Sequence, residues 1–220
     1  MKETIPAGVY DAAFRPQEHG LRLNPAHEGA LRRLGPKPGE RILDLGCGSG
    51  ALMELLARAG ARGVGVDYSR VSLGVARNAL ACGRLVLGTA PSLPFCDACF
   101  DRVASLGVLG YLSRADLARA LAECARVLRP GGRIVICTGT PLNAVGARLV
   151  GLRARLQGER HRVGSHLYPM RTYVRELERL GFAVEARLAW DGAPNRWWTR
   201  VLWPFFAALW ISARVARPPM

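Results

Sequence analysis

Lysine is almost missing from this 220-residue chain: only Lys2 and Lys37 occur, so nearly all of its 31 basic residues are arginine. Against 17 acidic residues they leave a formal charge of +14. A charge of that size suits nucleic acid or an anionic membrane. The arginines, however, are scattered among alanine, glycine and leucine, with no basic run long enough to track phosphates, and a biased genomic base composition would also enrich them. Nucleic acid is therefore not expected as the principal substrate. Also missing is any stretch of the roughly 18–20 uncharged apolar residues that crosses a bilayer. The nearest, Trp197 to Ile211, is interrupted by Arg200 and Pro204. The six cysteines lack a disulfide-framework spacing and no secretory signal pattern opens the sequence, so a reducing, cytoplasmic setting is expected. Cys96 and Cys99 form a CxxC, but no second CxxC or HxxxH supplies the other two ligands of a zinc site. That pair reads as a loop turn, with no metal. No repeat or low-complexity tract appears.

What is present is the composition of a globular protein, half hydrophobic and 22% charged, at a length that suits one domain over residues 1–220. Short β-branched apolar runs alternate with longer helical patterns. Strands are expected at Arg41–Leu45, Gly63–Val66, Leu85–Leu87, Asp101–Leu106, Arg133–Thr138 and Phe182–Leu188. Helices are expected at Ala51–Ala59, Ser69–Ala81, Asp116–Leu128 and Tyr173–Leu180. Pro130-Gly131-Gly132 separates the third helix from the strand after it. Such alternation implies right-handed crossovers and a three-layer α/β sandwich around a mostly parallel sheet.

Where the first strand meets the first helix stands Asp44-Leu45-Gly46-Cys47-Gly48-Ser49-Gly50. Glycines here remove Cβ atoms, so a ligand can lie against the backbone at a helix N-terminus. A dinucleotide fingerprint would read GxGxxG, whereas these glycines fall at 46, 48 and 50. An Asp two residues before the first glycine suits an ammonium-bearing ligand better than a pyrophosphate. Asp67, at the end of the second strand, suits bidentate bonding to two ribose hydroxyls. These features point to a nucleoside-containing cofactor and leave S-adenosylmethionine (SAM) and NAD both open.

The longer segments are more specific. RILDLGCGSG followed by VGVDYS resembles the first two motifs of the class I SAM-dependent methyltransferases. LVLGTAPSLPFCDACFDRVAS resembles their third segment, and LARALAECARVLRPGGRIVI the helix and strand after it. The four occur in order over about residues 25–140, and are most similar to the small-molecule branch that contains ubiquinone, lipid and natural-product enzymes. The resemblance implies a Rossmann-like sandwich with a seven-stranded sheet whose last strand is antiparallel. It implies SAM as cofactor, with Asp44 and the backbone of Gly46 and Cys47 facing its methionine part, and Gly48 and Gly50 shaping the turn. Asp67 would hold the ribose, Tyr68 would pack on the adenine, and Thr89 and Ala90 would read the adenine edge. Leu106 would offer its carbonyl to the methionine end. The family commonly has an acidic residue where Thr89 stands, so either Thr89 gives a hydroxyl contact or Ala90 binds through its backbone alone.

The acceptor-facing part lies at about residues 141–220. Methyl transfer from a sulfonium relies on positioning, and a general base is required only if the acceptor must lose a proton early. No catalytic residue is assigned. Tyr111, His161, His166 and Tyr168 are the substrate-facing candidates, His166 and Tyr168 because HLYPMRTYVRELERLGF resembles a family segment beside the substrate pocket. The Asn-Pro-Pro-aromatic motif of methyltransferases acting on DNA or protein amides is absent after the fourth strand. All five tryptophans fall at or after Trp190. The Trp197–Ile211 region admits two readings: a core helix to Ala208 followed by a final antiparallel strand at Leu209–Ala216, or a peripheral membrane contact. Either favours a lipophilic small-molecule acceptor. The rival functions are a SAM-binding protein without turnover, an RNA methyltransferase and a dinucleotide-dependent oxidoreductase.

Overall fold

The structure is a computed structural model that describes residues 4, 6–14, 21, 23–81, 83–139, 168–189 and 208–216. Its centre is a seven-stranded sheet in the order β3-β2-β1-β4-β5-β7-β6. The strands are β1 (Arg41–Leu45), β2 (Arg62–Asp67), β3 (Arg84–Leu87), β4 (Phe100–Leu106), β5 (Leu128–Thr138), β6 (Phe182–Ala189) and β7 (Ala208–Val215). The first five run parallel, and β7 is antiparallel to both of its neighbours, β5 and β6. Among the described residues the helices are α1 (Ala7–Phe14), α2 (Pro25–Leu34), α3 (Ala51–Arg58), α4 (Arg70–Ala79), α5 (Arg114–Val127) and α6 (Met170–Arg179), with a 3₁₀ turn at Leu109–Tyr111.

Alternation along each strand sorts the core into two faces. Ile42, Ala104, Val135, Cys137 and Trp210 bury one face against Ala30 and Leu34 of α2 and Leu52 and Leu56 of α3. Leu43, Leu45, Val103, Ile134 and Ile136 bury the other against Leu117, Leu121 and Cys124 of α5 and Tyr173 and Leu177 of α6. This is the expected three-layer sandwich.

The expected strands and helices are all found, β1 with its expected ends and the others with shifted ends. The largest shift is in β5, which begins at Leu128 and runs through Pro130-Gly131-Gly132. Leu128 pairs with Phe100, the register then slips, and Arg133 pairs with Arg102. The Pro-Gly-Gly segment is thus an irregularity inside one strand, where a residue without an N–H donor is tolerated. Helices α1 and α2 were not anticipated. α2 carries clear end signals: the Asn24 side chain accepts from the N–H groups of Ala26 and His27, Pro25 opens the helix, and Gly35 closes it at φ +56°.

The expected C-terminal strand is β7, and Leu209, Trp210 and Ile211 are core residues within it. The part of the Trp197–Ile211 segment before Ala208 lies outside the described residues. Among those residues no helix is long and apolar enough to cross a membrane. Ala98, at φ +49°, turns the chain between exposed Cys96 and buried Cys99.

Candidate functional site

The carboxyl ends of parallel strands are where open α/β sheets place ligands, because helix N-termini and loops converge there. At this end, β1, β2 and β4 open onto a cavity of about 370 Å³. After β1 the chain turns sharply: the N–H groups of Gly46 and Cys47 both donate to the Val66 carbonyl, at 2.7 and 3.1 Å. Gly46 sits at φ +73°, and a methyl group built on it would stand 2.1 Å from Cγ2 of Val108. Only hydrogen fits where the loop after β4 crosses the loop after β1. Gly48, at φ +53°, would point a Cβ into open space, and its N–H donates to Oδ2 of Asp67 at 2.8 Å. Gly50 caps α3 at φ +90°.

Asp67 ends β2 and is nearly buried. Its Oδ1 accepts from the N–H of Ser69 at 2.9 Å, so both oxygens are oriented by backbone. Burial raises its pKa, and the hydrogen bonds from Ser69 and Gly48 oppose that rise. Asp44 lies one residue behind the Leu45–Gly46 wall and is 2% exposed. Burial first, and the Asp67 charge second, push its pKa up to about 7. Among the described residues no hydrogen-bond donor reaches its carboxylate. Cys47 turns its thiol away from the cavity into a small cluster with Met53 and Leu73, where burial raises the thiol pKa.

Of the residues singled out from sequence, Gly46, Asp67, Tyr68, Thr89, Ala90, Leu106 and Tyr111 line the cavity together. Asp44, Cys47, Gly48 and Gly50 build the turn beneath it. Tyr168 stands behind the wall, donating its hydroxyl to the carbonyl of the lining residue Leu112 at 2.8 Å. His161 and His166 lie outside the described residues. His27 has a capping role, accepting the Asn24 N–H at Nδ1.

Sequence reasoning missed the N-terminal segment. Tyr10 of α1 enters the cavity between Tyr68 (centroids 5.7 Å apart) and Tyr111 (6.3 Å). Burial first, then Asp67, raises the Tyr10 pKa, so its hydroxyl stays protonated. The neighbouring Asp11 accepts from the Ser69 hydroxyl. Thr4 donates to Asp116 and accepts the Ser113 N–H. The segment is thereby tied to the N-caps of α4 and α5. Also unforeseen was Arg126, which donates to the carbonyls of Phe95 and Leu93 while pairing with Glu123 and Asp97. It fixes the loop that carries Thr89 and Ala90. The available hint for α1 was the helix-forming AGVYDAAF after Pro6; contacts so distant in sequence leave no local signal.

Comparison with known proteins agrees with this geometry. Residues 43–136 match the family described as a methyltransferase domain. A demethylmenaquinone methyltransferase of Corynebacterium kroppenstedtii is 41% identical over 106 residues, covering 48% of this chain and 44% of that protein. A ubiquinone biosynthesis O-methyltransferase of Mesorhizobium japonicum is 34% identical over 132 residues, covering 54% and 52%. The chain thus spans about half the length of the curated relatives it matches. The crystal structure of an S-adenosylmethionine-dependent methyltransferase from Mesorhizobium loti superposes with a TM-score of 0.64 at 27% identity, over 86% of this chain and 96% of that one. The buried carboxylate pair, the glycine turn and the sheet order fit S-adenosylmethionine as the cofactor. Over residues 43–136 this chain is thus similar to the methyltransferase domain, and its fold is that of a solved S-adenosylmethionine-dependent methyltransferase.

Proposed function

We propose that this chain transfers the methyl group of SAM to a small, lipophilic acceptor. The observation that carries this reading is the Asp44 carboxylate, buried beside Asp67 without a donor of its own among the described residues. Two buried carboxylates so placed call for a ligand that brings a cation to one and hydroxyl donors to the other. An ammonium toward Asp44 and ribose hydroxyls toward Asp67 meet both needs. Tyr68 would pack on the adenine and Thr89 with Ala90 would border its edge. The backbone of Gly46, Cys47 and Leu106 would follow the methionine chain, with Gly48 and Gly50 holding the turn.

Bound SAM supplies a methyl carbon already activated by its sulfonium. The chain's own residues then have to orient, exclude water and hold protons in place. Tyr10 closes the cavity from the N-terminal side as a protonated phenol, suited to contact and hydrogen-bond donation and unsuited to act as a base. Tyr111 and the apolar Val108 and Leu112 form the wall left for an acceptor. Tyr168 braces that wall, and His161 and His166 stay proposed acceptor-facing residues. The single-domain reading, with the cofactor half at about residues 25–140, goes with this proposal. So does peripheral membrane contact by the part of the C-terminal segment before β7, tested by co-sedimentation with anionic vesicles.

The names of the relatives direct the acceptor test to demethylmenaquinone and ubiquinone precursors. Incubation with SAM should yield S-adenosylhomocysteine and a methylated product with a lipophilic quinol. Tight SAM binding with no turnover on any lipophilic acceptor, against transfer to a purely polar one, would reverse the acceptor assignment.

A further inference from the structure

Cys96-Asp97-Ala98-Cys99 lies outside the cavity lining, in the loop that leads into β4. Asp97 and Ala98 form a tight turn between the two cysteines. Ala98 takes the left-handed conformation, φ +49°, and is the one described residue other than glycine with a positive φ. Glycine or asparagine is usual at such a position, and an alanine there has to be held by its surroundings. They do hold it. The N–H groups of Ala98 and Cys99 donate to the carbonyls of Arg126 and Val127, each at 2.9 Å. The Arg126 side chain donates to the Phe95 carbonyl at 2.8 Å and to Oδ1 of Asp97 at 2.7 Å. Nε of Arg129 donates to the Ala98 carbonyl at 3.3 Å. Phe95, Asp97, Ala98 and Cys99 are thereby fastened to the end of α5 and the start of β5.

A four-residue turn brings the Cα atoms of its ends within about 7 Å, the span over which a disulfide closes. The two thiols differ in access. Cys96 is exposed, whereas Cys99 is 6% exposed and belongs to the core with Phe100 and Leu128. Burial first, then the hydrogen bond with Cys96, raise the Cys99 pKa, and the Arg41 guanidinium opposes that rise. The other described cysteines, Cys47, Cys124 and Cys137, are buried. Among the described residues no group of three His, Cys, Asp or Glu side chains could hold a metal ion, so the pair does not extend into a metal site.

We infer that Cys96 and Cys99 form a reversible thiol–disulfide couple that exchanges with low-molecular-weight disulfides. The exposed Cys96, as thiolate, attacks one sulfur of the small disulfide, forms a mixed disulfide and expels the other half as a thiolate. Cys99 then gives up its proton and attacks the Cys96 sulfur, which releases the second half. Two cysteine thiols are oxidised to one disulfide, one small disulfide is reduced to two thiols, and the cysteine protons end on the released thiols. Burial shields Cys99 from the external reagent while the turn keeps it within reach of Cys96, and this division orders the two steps. Fixing the turn raises the effective concentration of one thiol at the other, a use for the left-handed alanine. The couple stands apart from the methyl-transfer reading.

The test equilibrates the full chain in glutathione buffers of rising oxidised-to-reduced ratio, then quenches, alkylates and digests it with trypsin. The peptide Leu85–Arg102 contains Cys96 and Cys99 and no other cysteine. In the parent, rising ratio should convert it to a closed form that carries neither alkyl group nor glutathione, and dithiothreitol should reverse this. The closed form should exceed the glutathione adduct by at least about tenfold. Cys99→Ser should invert that preference, with glutathione accumulating on Cys96. Cys96→Ser should leave Cys99 free of glutathione at the same ratios. A glutathione adduct that persists on Cys96 of the parent would overturn the inference, as would a parent peptide that stays reduced throughout. Thermal unfolding near that of the parent reports that each variant has kept its fold. If Cys99→Ser melts early, Cys99→Ala carries the comparison, because it removes the thiol without adding a hydroxyl to the core.

Discussion

At Gly46 one hydrogen in place of a methyl lets two loops meet at the wall of the cavity. Gly46→Ala adds a left-handed backbone cost of about 1–2 kcal/mol and an overlap with Val108, for a total loss of roughly 2–4 kcal/mol on denaturant unfolding. Val108→Ala in the same chain should return the overlap part and leave the backbone part, so the two changes should couple in a double-mutant cycle. Strict additivity would mean that the loops do not touch there. Asp44 makes a prediction in pH. Its folded pKa, about 7, is raised above the ordinary carboxylate value. Its contribution to the stability of the cofactor-free protein is therefore full below the ordinary value and is lost as pH rises through about 7. Binding a cation runs the other way, because it needs the ionised carboxylate. SAM affinity should climb between about pH 6 and pH 8, and this climb should flatten in Asp44→Asn. A parent profile as flat as the variant's would remove Asp44 from the cofactor site. Asp44, Gly46 and Asp67 were singled out from sequence because each stands in a short local motif, and Gly46 and Asp67 line the cavity. Tyr10, Thr4 and Arg126 were not, because each acts on a segment about 30 or more residues away.

The elements were legible where a hydrophobic period and a turn signal coincide. β1 has its expected ends, Arg41 and Leu45, since an apolar run is followed at once by glycines. β5 begins early because Pro130-Gly131-Gly132 signals a break while the partner strand β4 supplies pairing on both sides of it; only tertiary context decides between them. α2 was overlooked although Asn24-Pro25 and Gly35 mark both its ends, because its interior, PAHEGALRRL, shows only a weak apolar stripe. β7 resolves the strand part of the Trp-rich region. Trp210 is 1% exposed, pairs with Cys137, and lies under the Arg33 guanidinium at 4.0 Å. Trp210→Ala should cost roughly 3–5 kcal/mol by emptying that volume. Its indole N–H is buried without an acceptor among the described residues. Trp210→Phe should thus remove an unsatisfied donor and cost less than about 1.5 kcal/mol. Thermal or urea unfolding of the two variants checks the order, and an equal loss in both would mean that the indole N–H matters more than the buried ring.

The two ends of the mostly parallel sheet differ in what they gather. At the carboxyl ends, helix N-caps, glycine turns and two buried carboxylates gather at the cavity, while near the strand starts Arg102, Arg133 and Arg214 stand in register across β4, β5 and β7. The first arrangement could be read from sequence because the motifs sit in order along the chain. The second could not, since Arg102, Arg133 and Arg214 become neighbours only through strand pairing. Whether the cavity holds SAM on Asp67 is the point on which the account rests. The direct measurement is calorimetric titration of SAM into the parent and into Asp67→Ala, with NAD as the comparison ligand. Single-site SAM binding by the parent is expected, with no heat from NAD. Loss of the charged acceptor for the ribose hydroxyls should weaken SAM by about 2–3 kcal/mol, roughly 30- to 150-fold. Equal SAM affinity in parent and variant, or NAD bound in preference to SAM, would contradict it.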